Sequence, residues 1–143
     1  MRIKLLGMIF IFEVDWPTIK YGYVGRPLIP KTKQIVINEC YGGFGLSDKA
    51  IERYAELKGI TLEQRNSKWI TNGHDYYQDG KLFTARDLAR DDKVLIQVVY
   101  ELKEEANDWA SYLKIVEIPG EVDWQIQEYD GSEWISEKHR TWS

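Results

Sequence analysis

The sequence predicts an α+β fold with a mainly antiparallel sheet and two helices packed on one face. Three features indicate it: an apolar strand that runs through a glycine-rich loop into a capped helix, a second apolar stretch with helical spacing, and a closing hairpin. They lie near residues 34–58, 92–105 and 124–137. Strands and helices in this order are typical of an α+β domain.

The first strand and the first helix carry the clearest local signals. The apolar run Gln34–Asn38 predicts the strand. Ser47 is a good N-cap, and the helix runs from Asp48 to about Lys58, where Gly59 ends it. The apolar residues of this helix recur at helical spacing and form its inner face, namely Ile51, Tyr54 and Ala55.

The segment between the two helices, Thr61 to Phe83, is polar and rich in turns. Asn72-Gly73 and Asp79-Gly80 are turn dipeptides. We expect short strands around Trp69-Ile70 and Leu82-Phe83. Loops of this length often carry contacts to a partner or a ligand.

The second helix is predicted from about Asp92 to Glu105. Its apolar residues recur at helical spacing from Val94 to Ala106. A strand follows at about Leu113 to Ile118 and stops before Pro119-Gly120.

The end of the chain predicts a β-hairpin. Asp130-Gly131 is a type I′ turn signal between Trp124–Tyr129 and Ser132–Glu137. A two-residue loop places Glu128 opposite Glu133. Such a carboxylate pair either binds a cation or shares a proton, or it is a solvated hairpin tip.

The length of 143 residues is that of one domain. We expect residues 1–30 to be an N-terminal appendage or arm and residues 31–143 to be a single α+β domain, because three of the four prolines lie in the first thirty positions. The apolar run Leu5–Phe12 is too short to span a bilayer. It reads as a strand or a packing arm, with a secretion signal as the minor alternative.

Composition excludes several classes of function. A formal net charge of −4 argues against general nucleic-acid binding. The single cysteine, Cys40, rules out an intramolecular disulfide and a cysteine-based zinc cluster, and it fits a reducing compartment. His74 and His139 do not make a metal motif. The six tryptophans and nine tyrosines either pack in the core or line a binding surface or a subunit interface. Exposed aromatic residues on a chain of this modest size lead us to expect a homo-oligomer.

The glycine loop, defined here as Tyr41–Ser47, is the first candidate site. Its glycines, Gly42, Gly43 and Gly45, precede a helix start, where free backbone N–H groups and the helix dipole favour an anion. Tyr41 and Phe44 could stack a base beside a phosphate held by the amides of Gly43 to Ser47. The alternative is a tight strand-to-helix connection that only needs the backbone freedom of glycine.

Two further groups of cations extend this candidate site. Arg90 either holds a phosphate or pairs with Asp87 or Asp91. The C-terminal run Glu137-Lys138-His139-Arg140, with Trp134 and Trp142 near it, either offers cationic and aromatic groups for a nucleotide or is a frayed charged end.

Taken together, several motifs resemble a widespread family of small tailed-bacteriophage proteins. The motifs lie at 35–38 (Ile-Val-Ile-Asn), 40–47 (Cys-Tyr-Gly-Gly-Phe-Gly-Leu-Ser), 90–91 (Arg-Asp), 113–119 (Leu-Lys-Ile-Val-Glu-Ile-Pro), 129–134 (Tyr-Asp-Gly-Ser-Glu-Trp) and 137–140 (Glu-Lys-His-Arg). Residues 1–30 depart from the family pattern, in which members start just before the first strand. The resemblance implies a phage origin more firmly than it implies a chemistry.

We therefore expect a non-catalytic phage accessory protein in the cytoplasm of the infected bacterium. The leading hypothesis is that it sequesters a small nucleotide signal of host antiviral defence. The alternatives are a protein–protein inhibitor of a host enzyme and a small nucleotide hydrolase that uses Glu128, Glu133 or His139. No cofactor, metal or membrane contact is expected.

Overall fold

A computed structural model describes residues 31–143. The predicted N-terminal appendage, residues 1–30, lies outside the described residues. The helices and strands follow in the order β1 (Thr32–Asn38), α1 (Asp48–Lys58), β2 (Glu63–Asn66), β3 (His74–Gln78), β4 (Lys81–Phe83), α2 (Lys93–Leu102), β5 (Leu113–Pro119), β6 (Trp124–Tyr129) and β7 (Ser132–Glu137). Short 3₁₀ turns lie at Ala85–Asp87 and Lys103–Ala106.

All the strand pairs of the described region are antiparallel, and they form three small sheets. β1 pairs with β5, β2, β3 and β4 form a meander, and β6 pairs with β7. In the first pair Val36 lies opposite Ile115. The prediction of an α+β fold with antiparallel strands is confirmed.

The core lies where the two helices meet the β1–β5 pair. Helix α1 packs on α2, and α2 packs on both β1 and β5. The strand β1 is buried from Ile35 to Asn38 because its apolar run faces protein on both sides. The buried cluster draws on both helices, the glycine loop and both strands: Val36, Phe44, Leu46, Ala50, Tyr54, Leu95, Val98, Val99, Ala106 and Leu113.

Helix α1 has the predicted bounds because local signals fix both of its ends. The Ser47 hydroxyl accepts a hydrogen bond from the Ala50 amide at 3.1 Å. Gly59 adopts a left-handed conformation with φ of 74° and donates to the last carbonyls of the helix.

Helix α2 ends three residues earlier than predicted. Its last residue is Leu102, and Lys103 then takes a positive φ of 54° that turns the chain into a 3₁₀ segment. Ala106 is fully buried at the end of this segment. The apolar periodicity therefore continues to Ala106 although the α-helix does not.

The turn dipeptides behave as predicted, but one expected strand does not form. Asp79-Gly80 and Asp130-Gly131 both have two successive positive φ angles, as a type I′ turn requires. Trp69-Ile70 lies in an exposed turn and not in a strand, so that expectation was wrong. The meander begins instead at β2, whose four residues are all exposed.

Candidate functional site: the glycine loop and the groove beside it

The glycine loop is held against the segment that precedes β5. A Cβ atom at Gly42 would overlap the Ala110 carbonyl oxygen, and one at Gly45 would overlap the Asp108 carboxylate. Neither glycine has a positive φ, so glycine is needed there for close approach. Packing therefore accounts for two of the three loop glycines.

The tip of the β6–β7 hairpin covers the other side of the loop. A Cβ atom at Gly131 would lie 2.8 Å from the Tyr41 carbonyl oxygen and 2.9 Å from that of Gly42. The Asn38 side chain joins these parts: its amide donates to the Cys40 carbonyl at 2.8 Å and to the Gly131 carbonyl at 2.7 Å. A single buried side chain at the end of β1 thus fixes both the loop and the hairpin.

Arg90 and Glu133 form a buried bidentate ion pair under the hairpin. The two guanidinium nitrogens lie 2.7 and 2.9 Å from the two carboxylate oxygens. The side chains are only 16% and 7% exposed. Glu133 also accepts from the Asn38 backbone amide at 2.8 Å, and the Arg90 guanidinium lies 3.6 Å from the centre of the Phe44 ring. Arg90 therefore pairs with Glu133 and not with Asp87 or Asp91.

A cavity of ≈ 360 Å³ opens between the glycine loop and the hairpin tip. The structure brings Gly42, Gly43, Phe44 and Arg90 to its walls, together with Arg86 and three carboxylates from the hairpin: Glu128, Asp130 and Glu133. Two guanidinium groups thus face three carboxylates. This charge balance does not favour a polyanionic ligand.

Several polar groups at the helix end beside the loop already have partners. The Ser47 amide donates to the Ala106 carbonyl at 2.9 Å, and the Ser47 hydroxyl caps Ala50. The carboxylate of Asp48, in the first turn, lies 2.7 Å from Nδ1 of His74. A carboxylate at this position already complements the helix dipole.

The other predicted site residues do not line this cavity. Lys138 lies 3.8 Å from Asp123, and the Arg140 guanidinium lies 5.9 Å from the centre of the Trp142 ring. His139 is exposed, Trp134 is half exposed and Tyr41 is 70% exposed. The described chain therefore joins Arg90 to the glycine loop without bringing in the C-terminal run.

The predicted pair of glutamates has the predicted register but two different environments. Glu128 lies opposite Glu133. Glu133 pairs with Arg90, whereas Glu128 accepts a hydrogen bond from the Gly131 amide at 2.6 Å.

The thiol of Cys40 lies beside the glycine loop and donates to the Ala110 carbonyl at 3.2 Å, a contact that suits a structural cysteine.

A wider depression lies on the far side of the glycine loop, and sequence reasoning did not find it. Two adjoining cavities of ≈ 390 and ≈ 880 Å³ lie between the loop, α1 and the turn-rich segment. We call it the aromatic groove and define it by the residues that both cavities share: Leu46, Ile51, Ile70, His74, Asp108 and Trp109. Trp109 is 81% exposed at its edge.

The aromatic groove combines apolar walls with carboxylates. Ile70 and Leu82 are about half exposed, and Trp69 next to Ile70 is 87% exposed. Asp75 and Asp108 line the smaller cavity together with Arg86. Under the groove, burial raises the pKa of Tyr76 to about 12, so its hydroxyl stays neutral there.

No protein-family model matches this chain, and neither a curated protein nor a solved structure matches it. Within residues 31–143 no helix is both long enough and apolar enough to cross a membrane. The same residues contain no group of histidine, cysteine or acidic side chains arranged to hold a metal ion.

Proposed function

We propose that this protein is a non-catalytic binding module that docks on another protein through the aromatic groove. The observation that carries the proposal is the exposure of Trp109, 81%, at the edge of two adjoining cavities with apolar walls. An exposed apolar patch beside a concavity is typical of an interaction site. Tryptophan is also one of the residues enriched among the energetic hot spots of protein interfaces.

The resemblance to small phage proteins supports a host protein as the partner. Inhibition of a host defence or metabolic enzyme then follows from occupation of its surface, without chemistry by this chain. In support of a non-catalytic role, the two acidic residues considered for hydrolysis already have partners: Glu133 pairs with Arg90 and Glu128 accepts from Gly131.

Nucleotide sequestration is the second candidate function, and the observation that supports it is that Trp109 and Arg86 line the same cavity of the groove. Trp109 offers a face on which a base could stack. Arg86 lines the smaller cavity, and its guanidinium comes within 3.4 Å of the position that a Cβ on Gly43 would occupy. A phosphate beside this guanidinium would therefore touch the glycine loop.

The experiment is affinity capture from bacterial lysate with the full chain as bait. We compare Trp109→Ala with Trp142→Ala, because Trp142 is 80% exposed but does not line the groove. We expect the wild type and Trp142→Ala to retain one protein in stoichiometric amount and Trp109→Ala to lose it. Retention of the same protein by Trp109→Ala would rule out docking through the groove.

The second candidate is tested by thermal shift with a panel of cyclic and ADP-ribose-derived nucleotides. A ligand at a hundred times its Kd stabilises the folded state by about 2.7 kcal/mol, which a melting curve resolves. Loss of the shift on Arg86→Ala would support binding at the groove. An unchanged melting temperature across the panel at saturating concentration would end the nucleotide hypothesis.

A further inference from the structure

We infer that the segment entering the aromatic groove is an apolar peptide segment that carries a lysine or arginine beside its anchoring side chain. This inference rests on the proposed docking function and names the chemistry of the partner. It follows from three features: the charged side chains that line the groove are mostly acidic, two of their carboxylates form no salt bridge within residues 31–143, and the Trp109 indole lies exposed at the edge.

The charges of the groove are mostly negative. The larger cavity is lined by Asp48 and Asp108, and its lining contains neither lysine nor arginine. The smaller cavity adds Asp75, and its one guanidinium is that of Arg86. The imidazole of His74 lies between the two cavities and is held by Asp48. A partner with an acidic segment would thus meet like charge over most of the groove.

Two of these carboxylates have no internal counter-ion within residues 31–143. Asp108 accepts from the Ala110 amide at 2.8 Å, and neither Asp108 nor Asp75 forms a salt bridge with a lysine, arginine or histidine of the described chain. This contrasts with Glu133, whose two oxygens are both bound by Arg90. Asp75 and Asp108 are both half-buried, so a covering segment would remove much of their remaining contact with water.

Covering the groove strengthens the attraction between its carboxylates and a cation of the partner. When water leaves the groove, the effective dielectric constant falls and each carboxylate attracts a cation more strongly. A carboxylate left buried without a cation would oppose binding. Trp109 directly follows Asp108, so a guanidinium stacked on the indole would have a carboxylate acceptor for its N–H groups within the same loop. An apolar anchor would contact the apolar walls of the groove, and a neighbouring arginine or lysine would pair with its carboxylates.

The test is selection of random 12-residue peptides displayed on phage against the immobilised full chain. We expect the wild type to enrich apolar residues with lysine or arginine near them. The double variant Asp75→Asn/Asp108→Asn should keep the apolar enrichment and lose the basic residues. Trp109→Ala should enrich nothing above background.

The most enriched peptide then gives the size of the effect by fluorescence anisotropy. We expect the double variant to bind it roughly 3- to 10-fold more weakly, since each partly exposed ion pair contributes little on its own. The weakening should shrink at high salt. Glu121→Gln removes one negative charge at an exposed position outside the groove and should leave the affinity unchanged.

The two proposals fail in different ways. If wild-type selections are apolar but neutral or acidic, and Trp109→Ala still abolishes them, the inferred basic partner is wrong while docking through the groove stands. If Trp109→Ala selects the same peptides as the wild type, docking through the groove fails as well. No enrichment by the wild type would overturn the inference of a peptide segment.

Discussion

The two sides of the glycine loop differ in whether their charged groups have internal partners and in how much apolar surface they expose. On the hairpin side Arg90, Glu133 and Asn38 form a closed network in which each charged or amide group has an internal partner. On the other side the aromatic groove exposes Trp109 to solvent and leaves Asp108 without a counter-ion within residues 31–143. A closed network stabilises the fold, whereas an open groove is available to a partner.

This contrast assigns different roles to residues that look alike in the sequence. Glu133 and Asp108 are both acidic and both close to the loop, yet only Glu133 is bound on both oxygens by a guanidinium. Within the described residues no buried side-chain nitrogen or oxygen lacks a hydrogen-bond partner. Substitutions under the hairpin should therefore change stability, and substitutions in the groove should change binding.

The largest expected effect is that of Glu133→Ala. It leaves the Arg90 side chain, 16% exposed, without its counter-ion and removes the acceptor of the Asn38 backbone amide. Loss of one partner of a buried ion pair costs about 3 kcal/mol or more. We expect the free energy of unfolding in urea to fall by that amount.

Two further variants decide whether the charge pair is the cause. Glu137→Ala makes the same change at an exposed position of the same strand and should cost less than about 0.5 kcal/mol. Arg90→Met/Glu133→Leu removes both charges and should be less destabilised than Glu133→Ala. If the double variant were the least stable of the three, hydrophobic packing by the two side chains would explain the loss better than charge.

The second largest effect is expected for Gly42→Ala, where the loop approaches the Ala110 backbone. The added methyl group overlaps a carbonyl oxygen, which no rotamer change can relieve. Overpacking of this kind costs about 2 kcal/mol. The measurement is again urea unfolding.

Gly80→Ala serves as the comparison for Gly42→Ala. Gly80 has a φ of 81°, and an added Cβ would meet nothing within 4 Å. Its cost is therefore only that of a left-handed backbone, about 1 kcal/mol. A smaller loss for Gly42→Ala than for Gly80→Ala would mean that the loop moves away from Ala110 without cost.

Local signals explain which parts of this fold could be predicted. Helix α1 has its predicted bounds because Ser47 and Gly59 cap it within a few residues of sequence. The hairpin has its predicted register because Asp130-Gly131 determines a two-residue turn. The strand β2 was not predicted, since Glu63–Asn66 is polar and exposed throughout and shows no alternation.

The candidate sites depend on contacts between distant segments, and the sequence predicted them only in part. It singled out Arg90 and Glu133 separately, but they are 43 residues apart and only the fold pairs them. The groove joins Ile70 to Trp109. The sequence pattern assigned Ile70 to a strand, and nothing near Trp109 suggested a concave surface.

A smaller effect, and one that depends on pH, is expected at Asp92, the N-cap of α2. Burial opposes its charge, but hydrogen bonds from the Tyr54 hydroxyl and the Val94 and Leu95 amides, with Lys58 nearby, outweigh burial and hold the pKa of Asp92 below its ordinary value of 3.8. The folded state therefore favours the carboxylate. The resulting stabilisation is present above about pH 4 and is lost as the pH falls through the lowered pKa.

Asp92→Asn tests this assignment because asparagine still caps a helix but carries no charge. We expect the variant to be about 1 kcal/mol less stable than the wild type near pH 7 and the difference to shrink near pH 3. Asp91→Asn, at the exposed neighbouring position, should follow the wild type at both pH values. A constant difference between Asp92→Asn and the wild type would assign the effect to capping geometry.

The smallest expected effect on stability is that of Trp109→Ala, and it tests the comparison from the other side. Because the indole is 81% exposed, its removal takes away little buried apolar surface and leaves no cavity in the core. We expect the free energy of unfolding to change by less than about 0.5 kcal/mol, while capture of the partner is lost. A loss of stability comparable to that of Glu133→Ala would mean that Trp109 packs as part of the fold, and the distinction between a closed network and an open groove would no longer separate stability from binding.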